Sequence, residues 1–509
     1  MTSPRDKSDI FYSPDVVRKG NINRPSVVDL FCGAGGLSLG FATAGCTIIG
    51  AVDLDEVAGE TYRTNISSIQ SDSPINLFFG ENGNIENLNF QHVNGDIAVD
   101  LLIGGPPCQG FSKLGRAKLD SLSDEGFKGD PRNTLYRRFV DAVRFWKPQA
   151  FLMENVIGML SVGGRNVAEE AAGELADCGY NVGYAVLNAV WYGVPQLRER
   201  LFFLGYRQDL NIHPEMPIVS HNYNVPRGYI QDFSNCSEVQ LPLPLFNGLS
   251  SSRKIRLVSS SHGLPAVTVA DALSDLPAII SHLNSEGHSG HESRPPILEY
   301  RGEPATGYTL MRNWPGLTPG KIEDHEIRLT PRDYETFRQM KSGDRYPEAL
   351  KISEQRFQTE LQKSQSSGKV HIDGSSEWEE FRRRFIPPYP VNMFLDKWRK
   401  LDPGRPSWTV TAHLAKDSYS HIHYDSLQAR AISIREAARL QSFPDSFRFY
   451  GNMGDRFRQI GNAVPPLVSW AIASMIIQKL GYHAQVPPWS VGESLSPDSD
   501  KTVTKPKNR

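Results

Sequence analysis

The sequence predicts an α/β protein: an open, mainly parallel sheet with helices on both faces, plus a smaller domain of irregular structure. Two observations predict it. From Ser26 to Gly205 short apolar runs alternate with helical stretches, the rhythm of parallel strands joined by crossover helices. From Tyr206 to Gly404 that rhythm gives way to Pro-, Ser- and Arg-rich chain, and helical periodicity returns at Ser433–Gln441 and Val464–Leu480.

Ser26 to Phe31 reads as a buried strand, followed by a glycine-rich turn and a helix over Leu37–Ala44. Thr47–Val52 is a second strand and Glu56–Asn65 the helix after it. Ile66–Gln91 is rich in Ser, Asn, Gly and Asp, so a surface insertion is expected there. Val99–Ile103 is a third strand, and a polar loop runs from Gln109 to Pro131. In Asn133–Trp146 the residues Leu135, Phe139, Val143 and Trp146 recur at three- and four-residue steps, as a half-buried helix requires. Ala150–Met153, Val182–Val190 and Leu201–Gly205 are further strands, with a helix at Asn166–Cys178 after the first of them. The expected organisation is a frayed terminus at 1–24, a first catalytic and cofactor-binding part at 25–205, a second domain with its links at 206–404, a completing part at 405–482 and a disordered tail at 483–509.

Composition narrows the class. The chain has 509 residues, 39% of them hydrophobic, with 55 Lys plus Arg against 57 Asp plus Glu. At about 150 residues per domain, such a length implies roughly two to four folding units. These figures exclude a wholly disordered chain, a collagen-like fibre and a small disulfide-stapled module. Five cysteines, an odd and sparse count, fit a reducing compartment. The polar start MTSPRDKSD has no apolar core, and Leu467–Ile477 is too short for a bilayer span of ~20 residues, so a cytoplasmic protein is expected. The net charge of −2 divides unevenly: 18 basic and 24 acidic residues in 1–205, 24 of each in 206–400, and 13 against 9 in 401–509. That balance does not by itself announce nucleic-acid binding, for which the local field decides.

Four segments carry chemistry. In Val27–Gly36, a strand ends in a turn bearing Gly33, Gly35 and Gly36 and opens a helix, so main-chain N–H groups can approach a ligand closely. Asp53, at the tip of the second strand, is placed to accept bonds from a ribose, and Asp96 would sit beside an adenine. A structural turn in an unrelated α/β protein explains this segment equally well. In Ile103–Ser112, prolines stiffen the loop before Cys108 and preorganise a nucleophile whose thiolate needs N–H groups or cations, Lys113 and Arg116 being near in sequence. In Met153–Val156, Glu154 leaves a hydrophobic strand at the same edge, suited to proton donation to a bound ring; a helix cap is the alternative. In Pro195–Gly205, Arg198 and Arg200 share one strand face by the two-residue period, and paired guanidinia suit a base edge or a phosphate.

Taken in order, DLFCGAGG, GGPPCQGFS, ENV and QLRER resemble the cytosine-specific C5 DNA methyltransferases, and REAARLQSFPDSF (Arg435–Phe447) and GNAVPP (Gly461–Pro466) agree. The resemblance covers about Pro25–Gly205 and Gly404–Leu480. It implies a Rossmann-like, S-adenosylmethionine-dependent methyltransferase fold whose sheet is completed by pieces from both ends of the chain. It implies that Cys108 adds to carbon 6 of cytosine, that Glu154 protonates or hydrogen-bonds N3, that Arg198 and Arg200 hold the base and its phosphate, and that Pro107 shapes the pocket wall. For the cofactor, S-adenosylmethionine, it implies Phe31, Gly33, Gly35, Gly36, Asp53, Asp96, Ile97, Asn462 and Ala463. Two departures stand out: Asp53 where Glu is commoner, and Leu54 where an aromatic often stacks on the adenine.

The middle, Tyr206–Gly404, is then a target-recognition domain, with Arg253–Arg256 and Arg382–Arg384 as candidate phosphate contacts. Arg405–Asp425 resembles the family's bridge back to the catalytic part, and its histidines lack metal-ligand spacing, so no metal is expected. The expected partner is duplex DNA, bound by a monomer, with any cognate endonuclease a separate chain and no stable complex between them. A transfer-RNA methyltransferase and a catalytically silent DNA-binding regulator are the alternatives. A middle of roughly two hundred residues disfavours the first, and intact Cys108, Glu154 and Arg200 disfavour the second.

Overall fold

The computed structural model describes residues 24–70, 75–107, 135–161, 166–230, 253–284, 298–303, 308–318, 321–369, 371–388, 390 and 397–488. Cys108, Lys113 and Arg116 lie outside the described residues, as do most of both termini.

A seven-stranded sheet forms the centre. Its strands are β1 (Ser26–Leu30), β2 (Thr47–Asp53), β3 (Asn76–Phe79), β4 (Leu101–Gly104), β5 (Ala150–Asn155), β6 (Tyr180–Asn188) and β8 (Glu199–Arg207), in the spatial order β3-β2-β1-β4-β5-β8-β6. A two-residue strand, β7 (Gln196–Leu197), precedes β8 and stands outside this sheet. All neighbours are parallel except β8, which runs antiparallel to both β5 and β6. The strand order reverses at β1, which lies between β2 and β4, and such a switch point opens a crevice at the carboxyl ends of parallel strands.

Helices cover both faces. On one, α1 (Gly36–Ala44) and α2 (Glu56–Ile69) pack with Val27, Ile48, Leu101 and Leu152. On the other, α3 (Tyr136–Trp146) and α4 (Val167–Ala176) cover Val28, Leu30, Leu102 and Phe151. Alternate residues of each strand serve opposite cores, which is why the strands read as continuous apolar runs.

Two expectations are corrected here. The stretch Ile66–Gln91 is not a surface insertion: α2 continues to Ile69, β3 forms the sheet's edge, and Phe79 and Ile85 are buried. Apolar partners on β2 and α2 outweigh the local polarity. Nor do both ends of the chain complete the sheet: among the described residues all its strands lie within Ser26–Arg207. The later part contributes helices instead: α5 (Val269–Leu273), α6 (Tyr334–Gln339), α7 (Tyr346–Ser366), α8 (Ser376–Arg383), α9 (Ile434–Leu440), α10 (Met453–Asn462) and α11 (Pro466–Lys479). Helix α11 is apolar on nearly every side and packs along α1, where Gly40 leaves room for Ser469, whose hydroxyl donates to Leu37 O at 2.7 Å. Leu467, Val468, Trp470, Ile472, Ile476 and Ile477 are each at most 2% exposed. At roughly 2 kcal/mol apiece they contribute on the order of 10 kcal/mol before chain entropy is subtracted, so α11 is integral to the core.

The middle of the chain is divided. Val219, Leu257, Val269, Leu273, Met311 and Trp314 join the main core, beside a two-stranded parallel ladder of β9 (Val219–Asn222) and β10 (Ser259–Pro265). Phe337, Met340, Tyr346, Ala349, Trp398, Ile422 and Ala429 form a separate, smaller core under α6 and α7. Buried ion pairs bind the middle of the chain to its later part. Arg439 on α9 is bidentate to Asp445 at 2.8 and 2.6 Å and also engages Asp275, all three side chains being withdrawn from solvent.

Candidate active site

The sheet's register gathers the candidate residues on one edge. Leu30 lies level with Val52 and Gly104, and Gly104 with Met153. The turns after β1, β2, β4 and β5 therefore open together. Because β8 is reversed, its beginning reaches the same edge, where Leu201 pairs with Asn155 and Phe202 with Glu154.

The glycine turn is shaped by contact. Phe31, Gly33 and Gly35 have positive φ, of 58°, 52° and 93°. A side chain on Gly33 would meet nothing within 4 Å, so this stretch of backbone is open to a ligand. A Cβ on Gly36 would lie 2.3 Å from Val464 O, so the α10–α11 turn is packed directly on the start of α1. Asp53 fastens the turn: one carboxylate oxygen accepts from Gly33 N–H at 2.8 Å, the other from Asp55 N–H at 2.8 Å. Burial raises its pKa, opposed by these hydrogen bonds. Beside it Leu54 is 62% exposed. Beneath the turn Asp29 is fully buried, with Ser38 donating to one oxygen at 2.7 Å, and burial pushes its carboxyl up to about 8.

Asp96 and Ile97 are not at this edge, which corrects the expectation for both. Ala98 O accepts from the Ser26 hydroxyl at the start of β1, Asp100 N–H donates to Ser26 O, and Asn94 accepts from the Trp146 indole at the end of α3. These contacts put both exposed residues at the opposite, amino end of the strands. The turn that does reach Asp53 is Gly80–Asn84: a Cβ on Gly83 would lie 2.1 Å from Asp53 O, and Asn84 follows it, half-buried. Sequence reading missed Asn84 because it sits in a polar stretch; its signal is the Gly-Asn-Ile triplet, the counterpart of Gly-Asp-Ile at 95–97.

The candidate base pocket lies across β4 and β5. Gly105 N–H donates to Leu30 O at 3.3 Å, and the Asn155 amide donates to Pro106 O at 3.4 Å, holding the Gly-Gly-Pro-Pro turn that leads to Pro107 and onward to Cys108. Glu154 is 9% exposed and would lie 3.3 Å from a Cβ on Gly105, so only glycine fits there without a shift. Its Oε1 is 2.9 Å from Arg200 Nε. Burial raises the Glu154 pKa, while Arg200 and then Arg198 oppose the rise, and burial lowers that of Arg200. A carboxyl biased toward its protonated form beside a guanidinium can donate a proton and offset developing negative charge.

Arg198 departs from its expected use. It is 1% exposed and donates to Val410 O at 2.8 Å, Gly461 O at 3.0 Å and Ala463 O at 2.9 Å. Both arginines act on Glu154 electrostatically, but the Arg198 fork is engaged by main-chain carbonyls rather than offered to a ligand. The QLRER segment is further stitched to the chain's later part. Gln196 donates to Leu440 O at 2.9 Å, β7 pairs with β11 (Ser407–Trp408), and Gln441 donates to Ala463 O at 2.6 Å. Asn462 is exposed and Ala463 half-buried at the turn that covers Gly36.

Of the candidate phosphate contacts, Arg253 pairs with Glu169 at 3.1 Å and Arg384 with Glu380 at 3.1 Å. His421 and His423 are buried, and burial depresses both to about 3, so they are neutral. Among the described residues no group of His, Cys, Asp and Glu could hold a metal ion.

The chain is similar to known proteins. The model of the family described as C-5 cytosine-specific DNA methylase matches residues 26–255 and 317–478. The chain is 36% identical over 458 residues to type II methyltransferase M.OihORF3336P of Oceanobacillus iheyensis, covering 88% of this chain and 94% of that one. It is 33% identical over 480 residues to type II methyltransferase M.AgeI of Thalassovita gelatinovora, covering 88% and 98%. In fold it is similar to a crystal structure of a DNA modification methyltransferase encoded within an E. coli prophage, with a TM-score of 0.56, 24% identity and coverage of 90% and 99%.

Proposed function

This chain belongs to the C-5 cytosine-specific DNA methylase family and is a DNA (cytosine-5-)-methyltransferase whose methyl donor is S-adenosylmethionine; we propose that it works through a covalent adduct between Cys108 and a cytosine turned out of a specific duplex sequence. The observation that carries this reading is the buried Glu154–Arg200 pair at the carboxyl edge, beside the Gly-Gly-Pro-Pro turn that leads to Cys108.

The chemistry follows from carbon 5 being a poor nucleophile. Addition of the Cys108 thiolate at carbon 6 makes carbon 5 enamine-like. Glu154 gives its proton to N3 as the sulfur adds, so negative charge does not accumulate on the ring, and Arg200 holds that carboxyl in place. When bound, S-adenosylmethionine supplies the methyl group that carbon 5 takes. The donor site fits such a molecule: Gly33 leaves open space, the Asp53 carboxylate stands at the strand tip for ribose hydroxyls, and exposed Leu54 offers an apolar surface to the adenine. Asn84 takes the adenine-side role first assigned to Asp96 and Ile97, and Phe31, Gly35, Gly36, Asn462 and Ala463 complete the cleft. Loss of the carbon 5 proton and departure of the thiolate end the cycle. Turning the base out costs a few kcal/mol, recovered through contacts in the pocket walled by Pro107.

The chain is the modification half of a restriction–modification system and acts as a monomer on duplex DNA in the cytoplasm, its cognate endonuclease being a separate chain. Incubation with labelled S-adenosylmethionine and either duplex DNA or transfer RNA, followed by mapping of the modified base, tests the reading. Label at carbon 5 of cytosine in duplex DNA is expected; label confined to transfer RNA overturns it.

A further inference from the structure

We propose that Arg198 is a positioning residue that secures the methyl-donor cleft through the α10–α11 turn, and that it is not a ligand of the base or of a phosphate. The inference rests on the donor-site reading above. Three observations support it. Arg198 is almost wholly withdrawn from solvent, and its two terminal nitrogens reach three main-chain carbonyls, those of Val410, Gly461 and Ala463. Gly461 and Ala463 flank the end of α10, where carbonyls without helical partners carry partial negative charge, so a guanidinium there both caps the helix and offsets its dipole. The turn so held is the one pressed on the donor site: Val464 O occupies the space where Gly36 would carry a Cβ, and Ala463 Cβ lies 3.3 Å from the same point.

Gln441 supplies an independent second tie. Its amide donates to Ala463 O at 2.6 Å and to Ile460 O at 3.1 Å, while Gln196 donates to its oxygen at 2.5 Å. Two side chains from opposite halves of the sequence thus converge on one carbonyl. Arg198 is also two residues from Arg200, so the strand that carries the Glu154 partner is fastened to the turn that covers the donor. The donor cleft is thus secured by the Arg198 fork, while the Glu154–Arg200 pair of the base pocket keeps its own bond.

R198K keeps the charge, but a single ammonium cannot span the carbonyls that the planar fork joins. Equilibrium binding of S-adenosylmethionine without DNA, binding of a duplex without donor, and steady-state kinetics are compared for wild type, R198K and Q441M. For R198K we expect donor affinity at least tenfold weaker, duplex affinity within threefold of wild type, and kcat within threefold once donor is saturating. Q441M moves donor affinity in the same direction by a smaller factor, and decides the matter if R198K does not fold. A general loss of structure would lower the active fraction without this split. Unchanged donor affinity in the folded variants, weakened duplex binding with donor binding intact, or an equal loss of both overturns the proposal. Failure of the wild-type chain to bind S-adenosylmethionine would instead strike at the donor-site reading itself.

Discussion

Arg200 Nε lies 2.9 Å from Glu154 Oε1, and the two side chains are only 19% and 11% exposed. Burial raises the carboxyl's pKa and lowers the guanidinium's, and their mutual attraction opposes both shifts without cancelling them. E154Q preserves shape and removes the proton, so methyl transfer is expected to fall about 100-fold or more, within the range of general acid catalysis. In wild type the protonated form persists to higher pH than for an ordinary glutamate, and kcat should fall as pH rises through that raised value. Single-turnover rates across pH check this; an E154Q enzyme near wild-type rate would refute the assignment.

Asn84 and Asp96 offer a direct contrast. Asn84 follows the glycine packed on Asp53, while Asp96 is at the other end of the strands. N84A should weaken donor binding about tenfold, the worth of one good hydrogen bond, and D96A should leave it unchanged. Calorimetric titration with the donor distinguishes them.

Gly36 has no room for a side chain, because a Cβ would fall 2.3 Å from Val464 O, a main-chain atom. G36A is expected to destabilise the fold by about 1–3 kcal/mol, as over-packing does, and to weaken donor binding by displacing the α10–α11 turn. Urea unfolding and donor titration of the same variant measure the two effects.

Asp445 tests the buried charges that join the middle of the chain to its later part. Burial alone would raise its pKa, but the Arg439 guanidinium more than offsets this and holds it below the usual carboxylate value. The unfolded chain therefore takes up the proton first. The stabilisation is fully present above about pH 4 and is lost as pH falls through the lower folded value. D445N should cost about 3 kcal/mol at neutral pH, as the Arg439 charge loses a buried partner, and should flatten the acid limb of the stability profile. Urea unfolding at a series of pH values measures both.

Where the sequence could be read, and where it could not, has a physical pattern. The carboxyl-edge position of Glu154 is legible because it follows a buried apolar run and parallel strands end together, although the strand itself continues through Glu154 to Asn155. Asp96 was misplaced because a short Gly-Asp-Ile triplet says nothing about which end of the sheet it occupies; the bond between Ser26 and Ala98 decides that. The two-residue period of Arg198 and Arg200 assigns them a strand face but not the carbonyls that arrive from more than two hundred residues further along. For the same reason the sheet's final make-up was misjudged. A late apolar helix with no polar face must be buried, but pattern alone does not say that α11 packs along α1.

The central claim is a bond between the Cys108 sulfur and the cytosine ring. A duplex library in which cytosine is replaced by 5-fluorocytosine, incubated with this protein and S-adenosylmethionine, tests it most directly, since fluorine at carbon 5 cannot leave as the proton does. The account predicts a protein–DNA complex that survives denaturing electrophoresis for wild type and is absent for C108S. A wild-type chain that methylates ordinary duplex DNA yet forms no such complex, or a C108S chain that forms it equally well, would contradict it.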